Sequence, residues 1–226
     1  MRQLIAALAA TASVVGVVHA AHAEGPWYVS GSVGALQKES DDGPSAITSA
    51  SGAPSIPDER RESFDPGFLA NVAFGRQLAA GFRVEAELGY AYFKSDKINI
   101  TSSNPTFNGD FPLAGGGDFN RYMATANAFY DLSLDWSVRP YIGVGVGAAH
   151  LTESSTVYRN ASGTTLRHRA NSGEHAVALA EIGVAIPVSA SWAVVPAYRY
   201  LRIFDGNQTP GDEADHVLKI GLRCSF

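Results

Sequence analysis

Charged side chains recur at every second position of several extended segments, where they would share one face. Arg83, Glu85 and Glu87 alternate with apolar residues in one such segment. Two carboxylates at this spacing can work as an acid and base couple only beside a cleft that admits a substrate. The alternative is a network of salt bridges, because an isolated buried ion costs several kcal/mol. We favour the network, and its six basic and four acidic members would be Arg83, Glu85, Glu87, Arg121, Asp131, Arg139, Glu181, Arg199, Lys219 and Arg223.

A second possible chemistry is nucleophilic catalysis. His150 is followed by Thr152 and Glu153, and a histidine can activate a neighbouring hydroxyl group. A threonine without a visible third partner is a weak signal, so we expect no enzyme activity and no catalytic residue. A metal site or other cofactor is not expected either, because the histidines have no close histidine or cysteine partner. Beyond residue 23 these histidines are His150, His168, His175 and His216.

The composition excludes two large classes of protein. The chain has 226 residues, a mean hydropathy of −0.02 and 17% charged residues. This hydropathy is too low for a bundle of membrane-spanning helices, and the formal net charge of −5 argues against nucleic acid as a partner. A transmembrane β-barrel remains compatible, because only every second residue of its strands needs to be apolar.

The N-terminus has the pattern of a secretory signal peptide. Arg2 precedes an apolar run over residues 4–18, and a small-x-small cleavage site ends at Ala23. We therefore expect residues 1–23 to be a cleaved signal peptide and residues 24–226 to form one barrel domain. The single cysteine, Cys224, excludes an internal disulfide framework in the exported chain.

A period of two runs through the remaining chain and predicts long β-strands. Over residues 82–93 the even-numbered positions are apolar or aromatic, whereas the odd-numbered positions up to 91 are charged or small. The predicted strands have roughly 10 to 14 residues, a length that suits a tilted strand crossing a bilayer. Eight such strands are predicted, at residues 27–36, 64–76, 82–93, 119–132, 138–150, 175–188, 193–204 and 215–226.

The connections between these strands are alternately long and short. The short ones are 77–81, 133–137 and 189–191, and the long ones are 37–63, 94–118, 152–173 and 205–214. Segregation of loops by length is typical of outer-membrane barrels. The sequence therefore predicts an all-β fold, an eight-stranded antiparallel up-and-down transmembrane β-barrel with short periplasmic turns and long extracellular loops.

The direction of the apolar face distinguishes this barrel from a soluble one, which would enclose its apolar residues. Tryptophans and tyrosines concentrate at the two interfaces of a membrane barrel, and Trp27, Trp136 and Trp192 all lie at the short-turn end. Glycines and paired charges on the opposite face suit the narrow bore of eight strands. We therefore expect the apolar face to meet lipid. A second girdle at the long-loop end would comprise Phe64, Phe68, Tyr90, Tyr92, Tyr122, Tyr198 and Tyr200.

Several segments resemble a known family. The ending HVLKIGLRCSF, with its terminal Phe, resembles the assembly signal of bacterial outer-membrane barrels, and its signal residues would be Leu218, Ile220, Leu222 and Phe226. The segments RVEAELGY, NAFYDL, RPYIGVGVGAA and YRYL resemble OmpA-like eight-stranded barrels and the Opa/Msp4-type surface antigens. The resemblance implies a monomer in the outer membrane of a Gram-negative bacterium, inserted by the barrel-assembly machinery. We expect no peptidoglycan-binding domain.

The long loops are where specificity is expected, because scaffold-held loops often carry function. The third long loop is basic, and its Arg159, Arg167 and Arg169 suit contact with lipopolysaccharide phosphates or another anionic ligand. The leading hypothesis is a surface barrel with a salt-bridge-filled bore, which supports envelope integrity and presents loops for adhesion or host contact. A narrow passive porin-like channel is the alternative. A lipid A-modifying enzyme and a heme-binding surface protein are less favoured.

Overall fold

Eight long antiparallel strands form a closed ring. The computed structural model describes residues 26–43, 47–48, 54–55, 59–102, 104–204 and 213–226, so the predicted signal peptide lies outside the described residues. Each strand pairs with the next in the chain, and the last pairs with the first, which confirms the predicted all-β barrel. The strands are β1 (Trp27–Lys38), β2 (Glu59–Gln77), β3 (Phe82–Thr101), β4 (Asp118–Asp131), β5 (Arg139–Glu153), β6 (Asn171–Pro187), β7 (Trp192–Phe204) and β8 (Glu213–Ser225).

The exterior of the ring is apolar, as the alternation predicts. Leu88, Val144, Val146 and Leu218 lie on three different strands and are 62% to 68% exposed. Charged residues at the intervening positions, such as Arg83, point into the bore and are buried. Among the described residues no helix is long and apolar enough to cross a bilayer.

Aromatic side chains cluster outside both ends of the ring. At the short-turn end Trp27 stacks on Phe74 at 5.1 Å, and Trp136 is exposed. At the long-loop end Phe68, Tyr122 and Tyr198 are exposed. The prediction that Phe64 belongs to this second girdle is wrong, because Phe64 is buried inside the ring. Its direction is inverted by an irregular register between Asp65 and Phe68, where three residue steps on β2 face two on β3.

Two strands extend well beyond the predicted ends and build a structure above the ring. β2 begins at Glu59 rather than 64, and β3 continues to Thr101 rather than ending at 93. Parts of the predicted loops 37–63 and 94–118 are therefore β-structure. We call this part the loop-end extension; it comprises residues 59–63 of β2, 95–101 of β3 and the short strands Asp41–Gly43, Gly109–Gly115, Thr156–Arg159 and Thr165–His168. A separate two-stranded pairing joins Ile47–Thr48 to Pro54–Ser55.

The loop-end extension has its own apolar core. A β-bulge at Asp96 lets Ser63 pair with Lys97 while Phe64 pairs with Ser95, and it reverses the alternation on β3. Beyond this point the even-numbered Ile98 turns inward. The core that results comprises Ile98, Ile100, Phe107, Phe111, Tyr158 and Leu166.

Candidate functional site

The bore at the short-turn end holds buried, hydrogen-bonded charges. The Nε of Arg83 donates to Asp131 at 2.9 Å, and its Nη1 donates to Glu85 at 2.9 Å and to the Tyr28 hydroxyl at 3.0 Å. The Tyr28 hydroxyl in turn donates to Glu85 at 2.7 Å. Arg83 is only 1% exposed, so its charge is balanced by protein carboxylates rather than by water.

A second buried arginine, Arg199 of β7, contacts carboxylates on β3 and β6. The guanidinium of Arg199 donates to both oxygens of Glu87 at 2.6 and 2.8 Å and to Glu181 at 2.7 Å. Glu181 also accepts from the Tyr141 hydroxyl at 2.7 Å and lies 2.7 Å from Lys219 Nζ. Bidentate arginine–carboxylate contacts of this kind fix geometry as well as charge. We call this buried set, with the Arg83 cluster, the ionic layer.

Glycines make room for the aromatic members of the ionic layer. A Cβ atom at Gly75 would overlap the ring of Tyr28, and one at Gly183 would overlap the ring of Tyr141. The rings therefore lie directly over glycines of the neighbouring strands, with their hydroxyls aimed at the carboxylates. This arrangement explains why glycines stand among the bore-facing residues beside Tyr28 and Tyr141.

Nine of the ten side chains predicted for the charge network lie in the bore. Seven belong to the hydrogen-bonded ionic layer, and Arg223 stands beside it with its guanidinium 5.1 Å from the Tyr28 ring. Arg121 lies nearer the loops, where it pairs with Asp215. Arg139 differs from the prediction, because it is exposed at the short-turn end where β5 begins. The ionic-layer members from the prediction are Arg83, Glu85, Glu87, Asp131, Glu181, Arg199 and Lys219.

The long-loop end of the bore is closed by phenylalanine rings instead. Phe93 stacks on Phe119 at 4.9 Å, and Phe64 meets both rings edge-on at 5.8 and 5.7 Å. The ammonium of Lys38 lies 4.7 Å from the Phe64 centroid, and the Arg121 guanidinium lies 5.1 Å from that of Phe93. We call this set the aromatic layer. Its apolar neighbours are Leu36, Leu69, Ala91, Met123, Ala149, Val177, Leu201, Ile203 and Val217.

Beside the ionic layer a few polar side chains of the bore lack a partner among the described residues. The amide groups of Asn71 and Asn127 and the hydroxyl of Thr125 are buried without a hydrogen bond to another described residue. A cavity of about 30 Å³ lies nearby, lined in part by Asn71 and Glu87. It has room for roughly two water molecules. Bound water would therefore satisfy the cavity-lining groups.

Above the aromatic layer a buried carboxylate ties the loop-end extension together. Glu62 accepts from the Tyr158 hydroxyl at 2.6 Å and also from Ser95 and Arg60. The Tyr158 hydroxyl lies 2.8 Å from Ser95 Oγ as well. Burial, followed by the charge and hydrogen bond of Glu62, raises the pKa of Tyr158 well above its usual value. The phenol therefore stays protonated and links the third long loop to β2 and β3.

The predicted anion-contact residues stand on the outside of the loop-end extension. Arg159, Arg167 and Arg169 are all exposed. Arg167 is opposite Val157, and Arg159 is opposite Thr165, so the two arginines share one face of a hairpin. We call Thr156–Arg159 with Thr165–His168 the arginine hairpin; Arg169 lies just beyond its end.

The predicted assembly-signal residues lie on the last strand and beside the first. Leu218 and Ile220 are exposed on the apolar exterior, and Leu222 is half-buried. The backbone N–H of Phe226 donates to the Trp27 carbonyl at 2.9 Å. The signal residues thus mark the seam where β8 closes the ring on β1.

Histidines at the long-loop end have carboxylate partners from other strands or loops. His150 Nδ1 lies 2.6 Å from Glu174, and His216 lies 2.8 Å from Glu39 through Nε2 and 2.6 Å from the Tyr198 hydroxyl through Nδ1. Sequence reasoning missed these partners, because they are distant in the chain. In the described part of the chain no three His, Cys, Asp or Glu side chains gather to hold a metal ion.

Three solved structures show the same fold. Neisserial surface protein A matches with a TM-score of 0.51 and 17% identity, over 91% of this chain and 100% of that chain. OprG from Pseudomonas aeruginosa matches with a TM-score of 0.53 and 14% identity, over 91% and 97%. The outer membrane protease OmpT from Escherichia coli matches with a TM-score of 0.51 and 10% identity, over 92% and 99%. No curated protein matches the chain.

A family assignment follows from the sequence itself. Residues 5–226 match the family described as the outer membrane protein beta-barrel domain. The closed ring, the apolar exterior and the aromatic girdles agree with this match, and together they place the protein in the bacterial outer membrane. The chain therefore belongs to the outer membrane protein beta-barrel domain family.

Proposed function

We propose that this protein is a non-enzymatic surface barrel with a closed bore, which supports envelope integrity and presents its loop-end extension for adhesion or ligand contact. We also propose that it belongs among the OmpA-like and Opa/Msp4-type surface antigens, on the strength of the segments 83–90 and 139–149. It would act as a monomer, inserted by the barrel-assembly machinery through the segment that ends at Phe226.

The observation that carries this proposal is the double closure of the bore. The ionic layer fills the short-turn end with partnered charges, and the aromatic layer fills the long-loop end. A cavity of about 30 Å³ lies among the side chains of the ionic layer, lined in part by Glu87, Glu181 and Lys219. A solute pathway would require both layers to move, and removing a buried charge from its partner costs several kcal/mol.

The build of the loop-end extension supports the surface role. Its apolar core and the buried Glu62 fix the strands beyond the ring, and its other face is polar and exposed. A rigid platform presents its side chains to a ligand with little loss of conformational freedom. The exposed arginines give this platform a preference for anions, such as lipopolysaccharide phosphates or an acidic host molecule.

The polar cavity beside the ionic layer favours one alternative, a narrow passive channel. The unpartnered amides of Asn71 and Asn127 would line a water path if the layers opened. This path would be blocked at one end by Phe93 and at the other by the Arg199 contacts.

Single-channel recording in planar bilayers tests the closed bore. We expect the purified wild-type protein to be silent or barely conducting, whereas steady openings would support the channel instead.

Envelope support is tested separately, by deleting the gene and scoring detergent sensitivity with and without complementation. The double variant Glu85→Gln with Glu87→Gln should also lose heat resistance of the folded band on gels. Unchanged heat resistance would contradict a role of the ionic layer in stability.

A further inference from the structure

The loop-end extension carries exposed cations in two different states. Arg61 donates to Asp42 through two hydrogen bonds of 2.8 and 3.0 Å, and Lys97 pairs with Asp110 at 3.3 Å. Arg159 and Arg167 are exposed on the arginine hairpin, and neither has a carboxylate partner within the described residues. The chain itself therefore neutralises Arg61 and Lys97. Arg159 and Arg167 are available to an anionic group of another molecule.

The register of the hairpin places the two arginines close enough to act together. Thr165 is directly opposite Arg159, and Arg167 lies two residues further along the same strand. Diagonal neighbours of this kind are roughly 7–8 Å apart on a sheet, within reach of long side chains. Two planar guanidinium groups from these positions can converge on one tetrahedral anion.

The hairpin is held rigidly by its opposite face. Tyr158 and Leu166 are buried in the core of the loop-end extension, and the Tyr158 hydroxyl is hydrogen-bonded to Glu62. Because these inward residues alternate with Arg159 and Arg167, the arginine face points away from the bore axis. The side chains that would bind an anion are thus fixed at their backbones before it arrives.

The position of the arginine hairpin relative to the aromatic girdle indicates which molecule supplies the anion. His168 at the end of the hairpin lies 3.7 Å from Glu153, the last residue of β5. Three residues below it on β5, His150 is opposite the exposed Tyr122 of the aromatic girdle. Strand residues rise about 3.3 Å each, so Glu153 lies about 10 Å further along β5 than the girdle, and the end of the hairpin that contacts Glu153 lies just beyond the girdle.

We propose that Arg159 and Arg167 form a pincer for one phosphate group of a neighbouring lipopolysaccharide molecule. This inference rests on the proposed surface role, which it makes specific to a phosphate of the surrounding lipid. It does not depend on the closed bore, so a conducting protein would contradict the proposed function and leave the pincer intact.

Binding of lipid A to the full-length barrel in detergent micelles tests the pincer. The probes are bis-phosphorylated lipid A and the same lipid A after removal of its phosphates. We expect the wild-type protein to prefer the phosphorylated form by about tenfold or more, because charge-assisted contacts are lost with the phosphates. The double variant Arg159→Gln with Arg167→Gln should bind both forms equally, and each single variant should lose most of the preference.

Arg61→Gln is the matched control, because it removes an exposed cation of the same extension that already has a partner. It should leave the preference within about twofold of the wild-type value. An equal loss in Arg61→Gln and in the double variant would show a general charge effect and overturn the pincer. Retention of the preference in the double variant would overturn it as well. So would binding of a sulfated glycan such as heparin without any preference for phosphorylated lipid A.

Discussion

The ionic layer and the aromatic layer close the same bore with opposite chemistry. In the ionic layer Arg199 donates three hydrogen bonds to two carboxylates, and one of these, Glu181, is also held by Tyr141 and Lys219. In the aromatic layer Phe93 packs on other rings and aliphatic side chains and lies under the Arg121 guanidinium, and its ring makes no hydrogen bond. The stability of the ionic layer depends on every charge keeping its partner. The stability of the aromatic layer depends on the rings filling the space inside the ring of strands.

The two layers should tolerate substitutions to different degrees. A buried charge that loses its partner remains in a medium of low polarity and cannot be rescued by small movements. A phenyl ring that is lost leaves a cavity, which its neighbours can partly fill. We therefore expect the ionic layer to be the more sensitive of the two, although the members of both are buried.

Arg199→Met is expected to lower the free energy of unfolding more than any other substitution considered for the two layers. The substitution keeps much of the volume but leaves Glu87 without its bidentate partner, so the free energy of unfolding should fall by roughly 3–5 kcal/mol. Urea unfolding in micelles, followed by the gel shift of the folded band, measures this fall. Lys97→Met is the control, because its pair with Asp110 is exposed and screened by water, so its loss should change the free energy of unfolding little. Equal losses of unfolding free energy in the two variants would contradict a larger contribution from the buried pair than from the exposed pair.

The aromatic layer is tested by Phe93→Ala, with a somewhat smaller expected effect. Loss of the stacked ring should lower the free energy of unfolding by about 3 kcal/mol. Planar bilayers should stay silent, because the ionic layer still closes the short-turn end. Leu88→Ala on the lipid-facing side of β3 serves as the control and should lower the free energy of unfolding by less. Steady openings in Phe93→Ala alone would show that the aromatic layer is the only seal.

The ring itself could be predicted from the sequence, because a lipid-facing exterior forces strict alternation over whole strands. The prediction failed where a bulge changes the alternation, at Asp96 and near Phe68, since a bulge leaves no mark in a pattern of apolar and polar residues. Both the inward turn of Phe64 and the loop-end extension were missed for this reason.

The bore residues were predicted by the same parity, but their partners were not. Asp215 follows the inward parity of β8, yet its pairing with Arg121 of β4 crosses the bore and depends on the shear of the closed ring. Arg139 has the inward parity too, but it lies at the end of its strand, where the bore opens. Parity identifies a face, and it does not show how far along the axis a side chain lies.

A smaller effect is expected where the loop-end extension meets the aromatic layer. Tyr158→Phe removes the hydroxyl that donates to the buried Glu62, and a hydrogen bond to a charged group is worth roughly 1.5–3 kcal/mol. We expect this loss to appear locally, as faster amide hydrogen exchange in Gly109–Gly115, with little change in unfolding of the ring. Leu113→Ala alters the same extension without touching Glu62 and is the control. Unchanged exchange in Tyr158→Phe would contradict the fastening role of this hydrogen bond.

The smallest effects belong to the exposed carboxylates of the loop-end extension, which contrast with the buried pairs of the bore. The hydrogen bonds from Arg61 lower the pKa of Asp42 below its usual 3.8, and those from Asn99 and Lys97 lower the pKa of Asp110 below the same value. A depressed carboxyl pKa stabilises the fold above the unfolded value, and the contribution is lost as the pH falls through the folded value. The extension should therefore keep its contacts from neutral pH down to about pH 4 and loosen only below it.

Carboxyl chemical shifts in an NMR titration measure both midpoints. Arg61→Gln should return the pKa of Asp42 to its usual value while leaving the pKa of Asp110 unchanged. A wild-type midpoint for Asp42 at or above 3.8 would show that the exposed pair with Arg61 does not persist in solution.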